Sequence, residues 1–177
     1  KQIATIAQIC NGRFSINMVS AWWEEEARQY SINFDAHDDR YTLTHEYTDV
    51  LRGFWSKSPF HHKGKYFSFE NSYNEPKPPK IPLVYAGGES EIGRNAITQF
   101  ADFYLLHGGT LEEAQTKIAD MKERKKRAGL PPFKGFGMAV YMIVRDSEEE
   151  AQNELKRITT IKNYADYENS YKNFTDN

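Results

Sequence analysis

The sequence predicts an α/β fold built on parallel strands, and three observations support it. Short apolar runs alternate with stretches of helical periodicity, which gives the order βαβαβαβα after an opening helix. Glycine pairs follow two of the apolar runs, at 87–88 and 108–109. The 177 residues are 39% apolar with a net charge of −2, which is typical of a globular domain with one core. Both a doubly wound sheet and a (β/α)8 barrel satisfy this order.

The first half of the chain predicts a helix, a strand and a long helix. The opening residues are already in helical register and reach a helix-ending Asn11-Gly12 pair. Residues 13–20 are mostly apolar and predict a buried strand. Leu43, Tyr47, Val50, Leu51 and Phe54 fall at helical spacing, so 37–55 is predicted to be a long amphipathic helix.

Residues 56–80 have a different character and predict a hairpin-like insertion. A Lys63-Gly64-Lys65 turn lies between aromatic flanks, and three prolines close the segment.

The second half continues the alternation through three strands and three helices. Their predicted bounds are 82–86, 90–100, 102–107, 110–127, 136–144, and from Asp146 or Ser147 to about 160. Thr110 and Glu113 have the spacing of a capping box.

The length of the chain decides between the two architectures. A complete barrel needs roughly 250 residues, so four βα units correspond to half of one. The chain opens in mid-helix without an N-cap, and 163–177 has no clear period and is predicted to begin a loop. We therefore expect residues 1–177 to be the central fragment of a single barrel domain. The strand ends at 20, 87, 107 and 144 would then form one rim of an active site.

Composition excludes several classes of function. The balanced charge argues against nucleic acid as the main partner, and no apolar stretch approaches the ~20 residues of a membrane span. A single cysteine, Cys10, is typical of a reducing compartment, so a cytoplasmic location is expected. The five histidines show no metal-binding spacing, so no protein-bound metal is predicted.

The strongest local signal is the run Gly87-Gly88-Glu89-Ser90, where a predicted strand passes into a helix. Paired glycines allow close backbone approach, and the N–H groups that open a helix favour an anion such as a phosphate. The spacing matches neither a Rossmann fingerprint nor a P-loop. A plain βα turn remains the alternative, and Arg94 is the cation expected to offset Glu89.

Two other rim positions carry polar side chains. Asn17 lies among apolar residues near Val19 and Ser20, and it suits either a flavin ring edge or a structural hydrogen bond. His107 ends a predicted strand, where it suits either an ionisable catalytic group or a hydrogen-bonded loop residue.

Five motifs in order resemble the bacterial-luciferase-like flavin monooxygenases, and most closely the dimethylsulfone monooxygenases, which neighbour the alkanesulfonate monooxygenases. They are Asn11 to Trp23, His37 to Tyr41, Tyr85 to Ser90, His107-Gly108, and Phe136 to Tyr141. The resemblance covers nearly the whole chain. It implies a TIM barrel of the luciferase-like type, present here as a partial barrel of about strands four to seven with their helices.

The resemblance also implies a site for reduced FMN at the rim. By the family pattern Asn17 and Val19 lie against the ring, while Tyr41, Glu89 and Ser90 lie near the phosphate; Glu89-Ser90 stands where many relatives carry Ser-Ser. The full set of cofactor-binding candidates is Asn17, Val19, Ser20, Tyr41, Gly87, Gly88, Glu89 and Ser90. The catalytic candidates are His107 and Tyr141, and the candidates for the substrate pocket are Trp22, Trp23 and Ala139.

The implied reaction is a two-component monooxygenation. A separate NAD(P)H-dependent reductase would supply FMNH2, which reacts with O2 to a peroxyflavin in a site kept dry by apolar residues. By the family pattern, alkanesulfonate monooxygenases carry Arg-x-His where this chain begins with Ala139. They carry Trp where this chain has His107. Loss of that arginine favours a small neutral organosulfur compound such as dimethylsulfone, with cleavage of a C–S bond.

Two alternatives to this function stay open at this point. A luciferase-like enzyme for an alkanesulfonate, an alkane or an amine chelate is one. Another is an incomplete, inactive barrel fragment that acts only as an assembly piece. Because a half barrel exposes two sheet edges, pairing into a homo-oligomer is also expected.

Overall fold

A computed structural model describes residues 1–165, 167 and 168. The chain divides into two compact units, the first formed by Lys1–Ala21 with Phe34–Ala139 and the second by Trp22–Asn33 with the residues from Val140 onward. In chain order the elements are α1 (Gln2–Ile9), β1 (Ser15–Asn17), α2 (Glu24–Gln29), α3 (His37–Ser56), β2 (Phe60–Lys63), β3 (Ser68–Ser72), β4 (Leu83–Gly87), α4 (Glu91–Phe100), β5 (Phe103–Leu106), α5 (Leu111–Arg127), β6 (Gly135–Met138) and α6 (Glu148–Thr159).

The first unit is built on a parallel sheet. Among the described residues this sheet has four strands in the order β1, β4, β5, β6, and every neighbouring pair is parallel. Helices connect β4 to β5 and β5 to β6, as parallel pairing requires. The prediction of an α/β fold with alternating strands and helices is confirmed.

One face of the sheet holds the core. Val84 and Ala86 of β4 and Tyr104 and Leu106 of β5 alternate along their strands and are almost fully buried. The helices α4 and α5 cover them with Ile97, Phe100 and Met121. Because α4 follows β4 and α5 follows β5, the loops that enter these helices lie at the carboxyl ends of the two strands.

The side chains that alternate with these buried ones point to the opposite face of the sheet. The register aligns Asn17 with Tyr85 and Tyr85 with Phe103, and the last two rings stack at 4.5 Å between centroids. Gly135 and Gly137 of β6 face their β5 neighbours, and a Cβ on Gly137 would lie 2.8 Å from Leu105 Cδ2. Glycine is needed there because the β5 side chains occupy the space beside it.

Two strand predictions are wrong in length and burial. The strand predicted at 13–20 is only Ser15–Asn17, and Asn17 and Val19 are exposed. In the described sheet β1 pairs on one side alone, so its apolar side chains are not enclosed as in a central strand. The strand predicted at 136–144 ends at Met138, because β5 ends at Leu106 and offers no partner further along.

The predicted helix signals are confirmed. Asn11 and Gly12 have φ of 49° and 74° just after α1, the left-handed conformation that ends a helix. Thr110 and Glu113 form a reciprocal capping box at the start of α5. Ser147, and not Asp146, caps α6 by accepting from the Glu150 N–H.

Strands β2 and β3 form an antiparallel pair that packs against α3. The Glu46 carboxylate of α3 accepts hydrogen bonds from the Tyr66 and Phe67 N–H groups and lies 3.0 Å from His62 Nε2. That this segment is an insertion within a barrel stays a prediction.

In the second unit, Arg145 forms an ion pair with Glu154 of α6 at 3.2 Å. The helix α2 was not predicted from the sequence: Trp23 makes no side-chain cap, although Glu24, Glu25 and Glu26 in the first turn are typical of a helix start. The loop predicted at 163–177 is wrong for Tyr164, Ala165, Tyr167 and Glu168, which are helical. Residues 166 and 169–177 lie outside the described residues.

Candidate active site

The loop between β4 and α4 presents backbone donors at the carboxyl end of the sheet. Gly87 and Gly88 lead from the strand to Ser90, whose Oγ accepts the Gly93 N–H at 3.0 Å and so caps α4. Within the described part of the chain, the N–H groups of Glu91 and Ile92 have no partner. The helix therefore opens with free donors and a positive dipole end.

The first turn of α3 faces this loop. His37 Nε2 lies 3.5 Å from Ser90 Oγ, and the rings of His37 and Tyr41 meet edge to face at 5.1 Å. A Cβ on Gly93 would lie 2.7 Å from the Tyr41 hydroxyl, and one on Gly88 would lie 2.9 Å from it. The two glycines thus make room for Tyr41 beside the helix start.

Glu89 is held at the side of the loop nearest β5 and α5. Its Oε2 lies 3.1 Å from Lys117 Nζ, and its Oε1 accepts the His107 N–H at 3.3 Å. Burial acts to raise the pKa of this carboxyl, but the bonds from Lys117 and His107 outweigh burial and lower the pKa overall. The expectation that Arg94 offsets Glu89 is wrong, because Arg94 binds Glu91 and Asp120 instead.

Tyr104 supports the loop from the core side. This fully buried residue of β5 donates its hydroxyl to the Gly88 carbonyl at 2.8 Å. Burial, assisted by the Glu89 charge, raises the pKa of Tyr104 to about 12. The backbone beside the candidate anion site is therefore fixed by a core side chain.

Removing the Tyr104 hydroxyl tests this support. We expect Tyr104→Phe to lower the free energy of unfolding by about 1 kcal/mol at neutral pH, because the Gly88 carbonyl loses its donor. A raised folded pKa stabilises the fold below the unfolded pKa, near 10, and that contribution is lost as the pH rises towards 12. Urea unfolding from pH 8 to 11.5 should show a smaller alkaline decline in Tyr104→Phe than in wild type. The exposed Tyr30→Phe serves as control, and equal declines in all three proteins would contradict the assignment.

The structure brings together six of the residues predicted for the site. Tyr41, Gly87, Gly88, Glu89 and Ser90 surround the start of α4, and His107 joins them through its N–H bond to Glu89. Asn17 is the last residue of the neighbouring β1 and is in register with Tyr85.

The remaining candidates lie outside regular strands. Val19 is 61% exposed and Ser20 is half-buried. Ala139 follows β6 and donates its N–H to the Leu106 carbonyl, which places it at the same end of the sheet as His107. Trp22, Trp23 and Tyr141 belong to the second unit, where the two indoles stack at 6.1 Å and Tyr141 is fully exposed.

Two residues of the site were missed as functional residues. His37 precedes Tyr41 by four positions, so both side chains share one face of the first turn of α3, and this spacing was a usable signal. Lys117 lies 28 positions from Glu89 along the chain, and its pairing had no sequence signal.

The described residues hold no group of three or more His, Cys, Asp or Glu side chains placed to bind a metal ion. None of the helices in this part of the chain is long and apolar enough to cross a membrane.

Comparison with known proteins identifies the family. The family model described as luciferase-like monooxygenase matches residues 1–176. The chain is 34% identical to an FMNH(2)-dependent dimethylsulfone monooxygenase of Pseudomonas fluorescens, over 89% of this chain and 43% of that protein. It is 32% identical to the Pseudomonas putida protein of the same name, over 89% and 44%. A pyrimidine monooxygenase RutA of Escherichia coli is 30% identical over 85% of the chain and 39% of that protein.

Solved structures show the same fold. A long-chain alkane monooxygenase matches 99% of this chain and 46% of its own with a TM-score of 0.85 at 24% identity. DmoA from Hyphomicrobium sulfonivorans matches 89% and 41% with a TM-score of 0.68 at 23% identity. The chain spans less than half the length of the curated relatives it matches. The fold is the luciferase-like (β/α)8 barrel, of which this chain holds part, and the chain belongs to the luciferase-like monooxygenase family.

Proposed function

We propose that the protein is the oxygenase of a two-component, FMNH2-dependent monooxygenase. The single observation that carries the proposal is the group of donors at the start of α4, where Ser90, Tyr41 and His37 surround free backbone N–H groups. A phosphate monoester needs such donors, and the family of the chain supplies the reason to identify that phosphate with FMN.

The residues present fit the phosphate of FMN. The free N–H groups of Glu91 and Ile92 and the hydroxyls of Ser90 and Tyr41 offer hydrogen bonds, and the dipole of α4 favours negative charge. The nearest carboxylate of the loop, Glu89, is neutralised by Lys117. Glycines at 88 and 93 keep side chains out of the space beside Tyr41.

For the ring of FMN we propose Asn17, Val19 and Ser20. Asn17 lies on the face of the sheet opposite the helices α4 and α5, where its amide offers both donors and an acceptor. Bound reduced FMN supplies the two electrons with which O2 is activated toward the substrate. Ala139 is proposed to exclude water from the pocket, and His107 to hold or move a proton there. Roles for Trp22, Trp23 and Tyr141, which belong to the second unit, remain predictions from the sequence.

We propose a small neutral organosulfur compound such as dimethylsulfone as the substrate, with cleavage of a C–S bond. The similarity to two dimethylsulfone monooxygenases supports this choice. Alanine at 139 offers no guanidinium to hold a sulfonate. The alternative is another substrate of the same family, which the 30% identity to pyrimidine monooxygenases supports.

An anaerobic mixing experiment tests the function. The full-length protein is loaded with chemically reduced FMN and mixed with O2 and dimethylsulfone, and consumption of the sulfone is compared with release of H2O2. We expect sulfone consumption to exceed peroxide release. Release of peroxide alone with every sulfur compound tried would contradict the proposal. Titration of FMN into the 177-residue chain and into the full-length protein tests whether the chain is an inactive fragment. An inactive fragment would bind FMN more weakly than the full-length protein, whereas equal affinities would refute that alternative.

Substrate charge is tested at position 139. We expect Ala139→Arg to shift the ratio of kcat/KM from the sulfone toward an alkanesulfonate by about tenfold, because a guanidinium pairs with the fixed sulfonate charge. Ala139→Met serves as the control for bulk without charge. Unchanged selectivity in Ala139→Arg would count against Ala139 as a pocket residue.

The partners follow from the proposed chemistry. We propose a separate NAD(P)H-dependent flavin reductase as the source of the reduced FMN, a choice supported by the FMNH(2)-dependent relatives. A cytoplasmic location and a homo-oligomeric state remain predictions.

A further inference from the structure

We infer that Glu89 and Lys117 act as a pair of positioning residues that prepare the start of α4 for the phosphate of the flavin. The inference rests on the proposed function. Lys117 holds the Glu89 carboxylate against β5 and α5, so that this charge is neutralised and turned away from the donors that receive the phosphate.

The sequence creates the problem that this pair solves. Glu89 immediately precedes Ser90, the residue that caps α4, so an unpaired carboxylate at this position would compete with an incoming phosphate for the same donors. Two anions in so small a volume repel each other, and a free carboxylate could itself occupy the N–H groups of the helix start.

The geometry uses both oxygens of Glu89 elsewhere. Oε2 lies 3.1 Å from Lys117 Nζ, and Oε1 accepts the His107 N–H at 3.3 Å. The two side chains are about one third exposed or less, at 33% for Glu89 and 27% for Lys117, so solvent screens their attraction only in part. The bonds from Lys117 and His107 lower the pKa of Glu89, which is the direction expected for a carboxylate held by these donors.

No other nearby cation performs this task in the described part of the chain. Arg94 binds Glu91 and Asp120, and Arg124 binds the same two carboxylates from α5. Lys117 is thus the cation whose removal leaves Glu89 without a counter-charge. The pair also ties the β4–α4 loop to the strand end at His107, where the rest of the site lies.

The test compares two flavins that differ only in the phosphate. Affinities of FMN and of riboflavin, both reduced and under anaerobic conditions, are measured for the full-length wild type, Lys117→Met, Glu89→Gln and the double variant. We expect Lys117→Met to weaken FMN about tenfold and to leave riboflavin within twofold. Glu89→Gln should weaken FMN less than Lys117→Met does, because it removes the negative charge while its amide oxygen still accepts the His107 N–H. The double variant should return to the level of Glu89→Gln.

The control is Lys126→Met, which removes from the same helix an exposed lysine that forms no ion pair with any described residue. Thermal unfolding of each variant monitors folding, and Lys117→Arg should restore FMN affinity if the Met variant unfolds. Equal weakening of FMN and riboflavin, no weakening at all, or a double variant as weak as Lys117→Met would overturn the inference. A wild type that binds neither flavin would overturn the proposed function instead.

Discussion

Replacing Asp102 by alanine is expected to lower the free energy of unfolding by about 3 kcal/mol. Asp102 precedes β5, and its Oδ2 accepts the Val84 N–H and the Arg52 guanidinium, each at 2.9 Å. Its Oδ1 pairs with Lys134 at 3.1 Å. The side chain is 19% exposed, so the variant leaves a largely buried N–H and two cations without their acceptor. Asp102 therefore joins α3, β4 and the loop before β6 at the amino ends of the strands.

The pH dependence of that loss gives an independent check. Burial acts to raise the pKa of Asp102, but the Val84 N–H, Lys134 and Arg52 together lower the pKa below its ordinary value. A carboxyl with a lowered folded pKa stabilises the fold above its unfolded pKa, near 3.9, and the contribution is lost as the pH falls through the folded pKa.

Urea unfolding at pH 7 and at pH 3 provides the measurement. The difference between wild type and Asp102→Ala should shrink at the lower pH. Asp35→Ala removes an exposed carboxylate with no ion pair among the described residues and should change stability by less than 0.5 kcal/mol. A loss below about 1 kcal/mol in Asp102→Ala at pH 7 would contradict the role assigned to it.

The fold was largely predictable because its signals are local. The capping box at Thr110, the left-handed Asn11-Gly12 pair and the apolar period of α3 each act within a few residues. Alternation of strands and helices then requires parallel pairing, which the register of β4 with β5 confirms.

The ends of the edge strands were not predictable from apolar character. Residues 136–144 have β-branched and aromatic side chains, yet the strand stops at Met138 because the neighbouring β5 stops at Leu106. The length of a strand depends on its partner, and the partner lies more than 30 residues away in the sequence. At 13–20, by contrast, only Ser15–Asn17 pair with β4, although β4 continues to Gly87, so the end of β1 is not set by the end of its partner.

The candidate site likewise has a part that local sequence signals predicted and a part that they did not. Ser90 and the glycines before it were found because a strand, a turn and a helix follow each other directly. The counter-ion of Glu89 was assigned to Arg94, which is near in sequence, whereas the structure places Lys117 there. Charge pairing between the β4–α4 loop and α5 depends on tertiary packing, so the sequence shows which charges need partners but not which partners they find.

Adding one methyl group at Gly93 is expected to weaken FMN binding by about 100-fold. The new Cβ would lie 2.7 Å from the Tyr41 hydroxyl oxygen and 2.9 Å from Ser90 Oγ, distances that real Cβ atoms do not tolerate. Either Tyr41 or the Ser90 cap must move, and both are proposed to hold the phosphate.

Gly93→Ala is informative because it is expected to weaken FMN binding while it favours the helical backbone of α4. Alanine favours a helix over glycine by about 1 kcal/mol, which offsets part of the steric cost, so the variant should remain folded while it loses the flavin. Equilibrium titration of reduced FMN into the full-length protein gives the affinity, and thermal unfolding gives the stability. Gln99→Ala, at an exposed position of the same helix, should bind FMN as wild type does. If Gly93→Ala binds FMN with wild-type affinity, the phosphate does not lie beside Tyr41 and Ser90, and the flavin must enter the barrel by contacts other than those at the start of α4.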